Sequence, residues 1–127
     1  MYNQGEPMTR ILLVEDTPCL RYTYSRLLKL HGFEVFEATD GREALEHVNE
    51  FQPDLVLTDL MMPGMGGLEL IRRLRGDLRT AKLPILAMTG DSGALTDSRA
   101  LQAGAADVLT KPVDLSLLLE RIRAFQD

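Results

Sequence analysis

The sequence is short of several things, and each shortage removes a class of function. It holds one cysteine, Cys19. An intramolecular disulfide and a multi-cysteine metal site are therefore both out of reach, and the usage suits a reducing, cytoplasmic setting. Basic residues are outnumbered, 14 Lys and Arg against 19 Asp and Glu, for a net charge of −5. Such a balance argues against a direct nucleic-acid surface or an anionic-membrane surface. No apolar run approaches the roughly 20 residues that span a bilayer. The first residues, Met1 to Pro7, are polar and lack a signal-peptide core. Internal repeats and low-complexity linkers are absent too. At 127 residues the chain is one domain, with 45% hydrophobic residues to build a core.

What is present is a strict alternation. Residues 1–8 read as a flexible N-terminal tail, with Met8 a second plausible start, and 9–127 as the domain. Ile11-Leu12-Leu13-Val14 is a short continuous apolar run, the mark of a strand buried on both faces. Thr17 is placed to cap a helix opened by Pro18, with Leu20, Tyr24, Leu27 and His31 on its inner stripe and Gly32 as its stop. Phe33 to Ala38 is a second strand. Asp40 caps the next helix with Glu43 three residues on, and Ala44, Leu45 and Val48 form its apolar side. Pro53 ends it, and Leu55-Val56-Leu57 is a third buried strand.

The turn Pro63 to Gly67 leads to a helix carrying Leu68, Ile71 and Leu74, ended by Gly76. Pro84 to Ala87 is the fourth strand, and a weaker helix runs from Ala94 to Ala103 with Gly104 as its stop. Asp107-Val108-Leu109 is the fifth strand. A last helix runs from about Asp114 to Phe125, inward through Leu115, Leu118, Leu119 and Ile122. Five strands alternating with five helices predict an α/β, doubly wound parallel sheet covered on both sides.

In an open parallel sheet, ligands bind outside the carboxyl ends of the strands. Those ends carry Glu15-Asp16, Thr58-Asp59, Thr89 and Thr110-Lys111. Three carboxylates close together cannot all stay ionised without counter-charge. Lys111 supplies one positive charge, and a hard divalent cation such as Mg²⁺ suits the rest, since no His or Cys is near in the pattern. Asp59 is then a credible nucleophile toward a phosphoryl group, with Lys111 and the cation on the phosphoryl oxygens and Thr89 as a hydrogen-bond donor.

The ordered set of Leu13-Val14-Glu15-Asp16, Leu57-Thr58-Asp59-Leu60-Met61-Met62-Pro63-Gly64-Met65, Thr89-Gly90 and Lys111-Pro112 resembles the receiver domain of two-component response regulators. The likeness covers essentially the whole chain past Met8. It implies a flavodoxin-like sheet of order 2-1-3-4-5 and phosphotransfer to Asp59 from a histidine kinase or histidine phosphotransfer protein. It implies Mg²⁺ held by Asp16, Asp59 and the Met61 carbonyl, with Glu15 acting through water. Lys111 would pair with the phosphoryl group, Thr89 would move toward it, and the bond before Pro112 would be cis. Phosphorylation would switch partner binding or homodimerisation through the face of the fourth helix, fifth strand and fifth helix. Catalysis would extend only to the domain's own phosphotransfer and autodephosphorylation.

The match has departures. Val108 stands where the family commonly carries a rotating Tyr or Phe, Val113 where many relatives have Phe, and Gly66 where an acid is frequent. Met61 and Asp91 occupy positions that tune dephosphorylation. Two rival functions remain in view. A phosphohydrolase of the haloacid-dehalogenase kind needs a second Asp where Met61 stands, and a constitutive docking module has no need of the acidic set. Other polar features have plainer readings: Cys19 a packed cysteine, His31 and His47 surface or core residues, and Arg72, Arg73, Arg75, Arg79 and Lys82 a solvated basic face. The chain reads as a stand-alone receiver or as one cut from a hybrid kinase or longer regulator.

Overall fold

A computed structural model describes residues 9–62, 64–90 and 93–125. The expected tail (1–8), Pro63, Asp91 and Ser92 lie outside the described residues. In chain order the elements are β1 (Arg10–Val14), α1 (Pro18–Leu30), β2 (Glu34–Ala38), α2 (Gly41–Phe51), β3 (Leu55–Asp59), α3 (Gly67–Gly76), β4 (Ile85–Thr89), α4 (Ala94–Ala103), β5 (Asp107–Thr110) and α5 (Leu115–Ala124). The strands form one parallel sheet in the order β2-β1-β3-β4-β5.

Alternation along each strand builds two cores. Leu12, Val14, Val56, Ile85 and Ala87 face α2, α3 and α4 through Val48, Ile71, Leu74 and Ala100. Ile11, Leu13, Leu57, Leu86 and Met88 face α1 and α5 through Tyr24, Leu28, Leu118 and Ile122. Because β1, β3 and β4 are buried on both faces, their sequences are continuous apolar runs rather than alternating ones.

Local chemistry sets the helix starts. Asp40 Oδ1 accepts from Glu43 N–H at 2.8 Å, and Glu43 Oε1 accepts from Thr39 N–H at 2.7 Å. Two orphan donors are thus satisfied, one residue earlier than in the usual reciprocal box. Thr17 is the N-cap residue of α1, yet its side chain makes no cap bond, so Pro18 alone carries that start. The inner stripe of α1 also differs from the sequence reading. Tyr24, Ser25 and Leu28 are buried, Leu27 is half-buried and His31 is exposed. Ser25 is drawn inward because its hydroxyl donates to Glu37 Oε2 at 2.9 Å. Leu70 joins Ile71 and Leu74 inside α3, and Leu68 is half-buried against the same core. Cys19 is exposed rather than packed.

Candidate functional site

The sheet delivers its polar residues to one rim. β1 runs into Glu15-Asp16, β3 ends in Asp59, β4 ends in Thr89, and β5 runs into Lys111. Parallel pairing holds these ends level. Leu60 N–H donates to Met88 O at 2.9 Å, and Lys111 N–H donates to Thr89 O at 2.7 Å. The Lys111–Pro112 peptide bond is cis.

Lys111 is the centre of the cluster. Its ammonium donates to Glu15 Oε1 and to Asp59 Oδ2, each at 2.8 Å. Glu15 is wholly buried and Asp59 is 5% exposed, so these are charge-assisted bonds inside protein rather than surface pairs. The second oxygen of each acid is also held. Thr17 N–H donates to Glu15 Oε2 at 3.2 Å, and Met61 N–H donates to Asp59 Oδ1 at 3.1 Å. Asp16 stands half-exposed beside them, and oxygens of Glu15, Asp16 and Asp59 lie within 4.8 Å of one another.

The electrostatics follow from burial. Desolvation drives the Glu15 carboxyl upward, the Asp59 charge adds to that, and the Lys111 and Thr17 bonds hold it back; the balance is a raised pKa. For Lys111, burial alone would depress the ammonium. Its bonds to Asp59 and Glu15 outweigh that penalty and leave its pKa above the usual lysine value. One ammonium among three carboxylates leaves the cluster anionic, and its donor set is all oxygen. That composition fits a hard cation such as Mg²⁺ and does not fit zinc.

Thr89 is fully buried at the end of β4, and Met61, 71% exposed, stands at the mouth. Two residues that the sequence reading did not connect with the site complete the setting. Arg21 reaches back from α1 and donates to the carbonyls of Glu15 at 2.9 Å and Asp16 at 3.4 Å, fixing the turn that carries both acids. Its position, one turn into the helix after an acid pair, was the available signal. Gly67 is the other. A Cβ there would lie 2.4 Å from Asp59 O and 2.7 Å from Leu60 Cα, so α3 can begin against the end of β3 only with glycine at that point.

This geometry is matched by known proteins. The response regulator receiver domain model matches residues 11–123. The chain belongs to the response regulator receiver family. It is similar to the protein PilH of Pseudomonas aeruginosa, 36% identical over 117 residues, covering 92% of this chain and 97% of that protein. It is 38% identical to the DNA-binding dual master transcriptional regulator RpaA of Synechocystis, over 92% of this chain but 48% of that regulator. The chain thus spans about half the length of RpaA and nearly all of PilH. Among solved structures, the chemotaxis response regulator CheY4 of Vibrio cholerae superposes with a TM-score of 0.87 at 30% identity, over 94% of this chain and 99% of that one. A putative response regulator from Chloroflexus aurantiacus gives a TM-score of 0.90 at 30% identity, over 94% and 98%.

The receiver is the phosphoacceptor module of two-component signalling, and its expected doubly wound 2-1-3-4-5 sheet is the one found. Among the described residues no helix is long and apolar enough to cross a membrane. Val108 is half-buried against the α2/α3/α4 core.

Proposed function

We propose that Asp59 of this receiver accepts a phosphoryl group from a phosphohistidine of a histidine kinase or histidine phosphotransfer protein. The observation that carries this reading is the Lys111 ammonium bridging Glu15 and Asp59 at 2.8 Å, with Asp16 alongside. An Asp59 oxygen forms the new O–P bond as the P–N bond of the donor breaks. The imidazole leaves with the electron pair and takes a proton from water. A carboxylate oxygen attacks without a general base; it needs to be held, and Lys111 and Met61 N–H hold it.

Asp16, Asp59 and the Met61 carbonyl would hold Mg²⁺, with Glu15 joining through water; the bound cation supplies positive charge to the phosphoryl oxygens. Lys111, kept charged by its partners, supplies the remaining positive charge. The phosphoryl group carries about −1.5 to −2 charges in place of the single charge of the carboxylate, and its oxygens draw Thr89 and Lys111 and bias the fold toward a second state. With Val108 in place of a ring, the change passes through the segment after Thr89 and through α4. It is read as altered partner binding or as a homodimer on the α4/β5/α5 face, where Leu95 and Leu101 are exposed. The domain's chemistry is limited to its own phosphotransfer and autodephosphorylation, in the cytoplasm.

Peptide mapping after treatment with a small-molecule phosphodonor and Mg²⁺ tests the residue assignment. The adduct belongs on the peptide containing Asp59, and Asp16→Asn should remove the Mg²⁺ dependence together with most of the yield. An adduct on another residue, or full labelling of Asp16→Asn, would contradict the assignment.

A further inference from the structure

The three acids of the site are not held alike. Glu15 and Asp59 are gripped at their own carboxylates, by the Lys111 ammonium at 2.8 Å each and by the N–H groups of Thr17 and Met61. Asp16 is gripped through its main chain. Its carbonyl accepts from Arg21 Nη1 at 3.4 Å, and the same nitrogen donates to Glu15 O at 2.9 Å. A short side chain points where its peptide sends it, so the aim of the Asp16 carboxylate depends on how firmly Arg21 stands.

What steadies Arg21 is on β2. One nitrogen on two carbonyls leaves a guanidinium free to turn about that contact. Glu37 supplies a second point: its Oε1 lies 3.5 Å from Arg21 Nε, and the Arg21 side chain is only 19% exposed. Glu37 is held in turn at its other oxygen. Oε2 accepts from Ser25 Oγ at 2.9 Å, and Lys29 Nζ stands 4.0 Å from it. Ser25 is 2% exposed, so its hydroxyl has left water to make that bond. A surface ion pair needs no buried hydroxyl behind it; a carboxylate that must point one way does. The next residue of β2, Ala38, accepts from Glu15 N–H at 3.0 Å, so this strand meets the acidic turn at its backbone and again through Arg21.

We infer that Glu37 is a positioning residue for the cation site: it fixes the Arg21 fork, and the fork fixes the peptide that aims Asp16. The line runs from Ser25 through Glu37 and Arg21 to Asp16, from the seam of α1 and β2 to the rim of the sheet. Its bearing on Mg²⁺ rests on the proposed function, but the hold of Glu37 on Arg21 does not. Charge and position make opposite forecasts for Arg21. Removing a cation from beside an anionic site strengthens Mg²⁺ binding by Coulomb attraction, whereas removing a support for a ligand weakens it.

Mg²⁺ titration of the full chain, followed by amide NMR at near-physiological ionic strength, reads that sign. Arg21→Met should weaken Mg²⁺ binding roughly tenfold, the lower end for groups that orient a ligand from behind. Glu37→Gln still offers Ser25 an oxygen and leaves the carbonyl contacts of Arg21, so it should weaken binding about threefold. The double variant should bind no more weakly than Arg21→Met, because Glu37 acts through Arg21. Lys29→Gln removes the other ion pair of Glu37 and should bind as the unmodified protein does. With Mg²⁺ saturating, Glu37→Gln should label with a phosphodonor at the ordinary rate. In chelator, the Arg21 Nε–H should exchange with solvent several-fold faster in Glu37→Gln, as expected when a local anchor is released. Tighter or unchanged Mg²⁺ binding in Arg21→Met, additive losses in the double variant, or unchanged Nε–H exchange would each overturn the inference. An unmodified protein that binds no Mg²⁺ would defeat the cation site of the proposed function instead, and the Nε–H exchange would still decide whether Glu37 holds Arg21.

Discussion

Two glycines at opposite ends of α3 should respond to the same substitution with opposite signs. At Gly67, the first helical residue, an added Cβ meets Asp59 O at 2.4 Å and Leu60 Cα at 2.7 Å. Both are backbone atoms, and both are fixed: Leu60 N–H is bonded to Met88 O at 2.9 Å, and Gly67 N–H to Leu60 O at 3.1 Å. No rotamer can relieve the overlap, so Gly67→Ala carries an overpacking cost near the upper end of the usual range, about 3 kcal/mol. The better helix propensity of alanine returns at most about 1 kcal/mol. The net is a loss of about 2 kcal/mol, or roughly 6–10 °C in Tm for a domain of this size. At Gly76 a Cβ meets nothing within 4 Å and φ is not in the left-handed region. Gly76→Ala should therefore stabilise by roughly 0.4–1 kcal/mol. Urea denaturation at neutral pH, with m-values compared, reads both. Equal midpoints for Gly67→Ala and the unmodified protein would refute the close-approach argument. Because the atom struck is the carbonyl of Asp59, Gly67→Ala should also label more slowly with a phosphodonor while Gly76→Ala labels normally.

Further predictions follow from single interactions. Lys111→Met leaves the buried Glu15 and Asp59 without their shared cation, so it should cost about 3–5 kcal/mol by urea unfolding in chelator, and Mg²⁺ should restore more stability to it than to the unmodified protein; a change below about 1 kcal/mol would contradict this. Asp40→Ala removes the α2 cap and should cost about 1 kcal/mol, whereas Thr17→Ala, with no cap bond to lose, should cost little. Burial raises the Tyr24 phenol above its ordinary value of 10.0. A pKa raised by folding contributes stability that is intact below the unfolded value and lost as pH climbs through the folded one, so stability should begin to fall above pH 10. Ultraviolet titration should show the last-ionising component missing in Tyr24→Phe.

Much of this architecture was legible in the residues because the physics was local. Leu12, Val56 and Leu86 belong to apolar runs too short for helices and too continuous for half-exposed strands, which specifies a parallel sheet clothed on both faces. Asp59, Glu15, Thr89 and Lys111 stood at strand ends, and the topology of such sheets brings those ends together. Long-range pairing was not legible. The inward turn of Ser25 depends on Glu37 across the sheet edge, and that of Arg75 on carbonyls of another loop and another helix. Spacing along one helix reports neither. The role of Gly67 was hidden for the same reason, since a close backbone approach leaves only a glycine in the sequence.

The central claim is that Asp59 carries the phosphoryl group. Intact mass measured after incubation with a small-molecule phosphodonor, with and without Mg²⁺, addresses it most directly, with Asp59→Asn run beside the unmodified protein. The account predicts one phosphoryl adduct that requires Mg²⁺ and is absent from Asp59→Asn. An adduct that persists in the folded Asp59→Asn protein, or none on the folded unmodified chain, would contradict it.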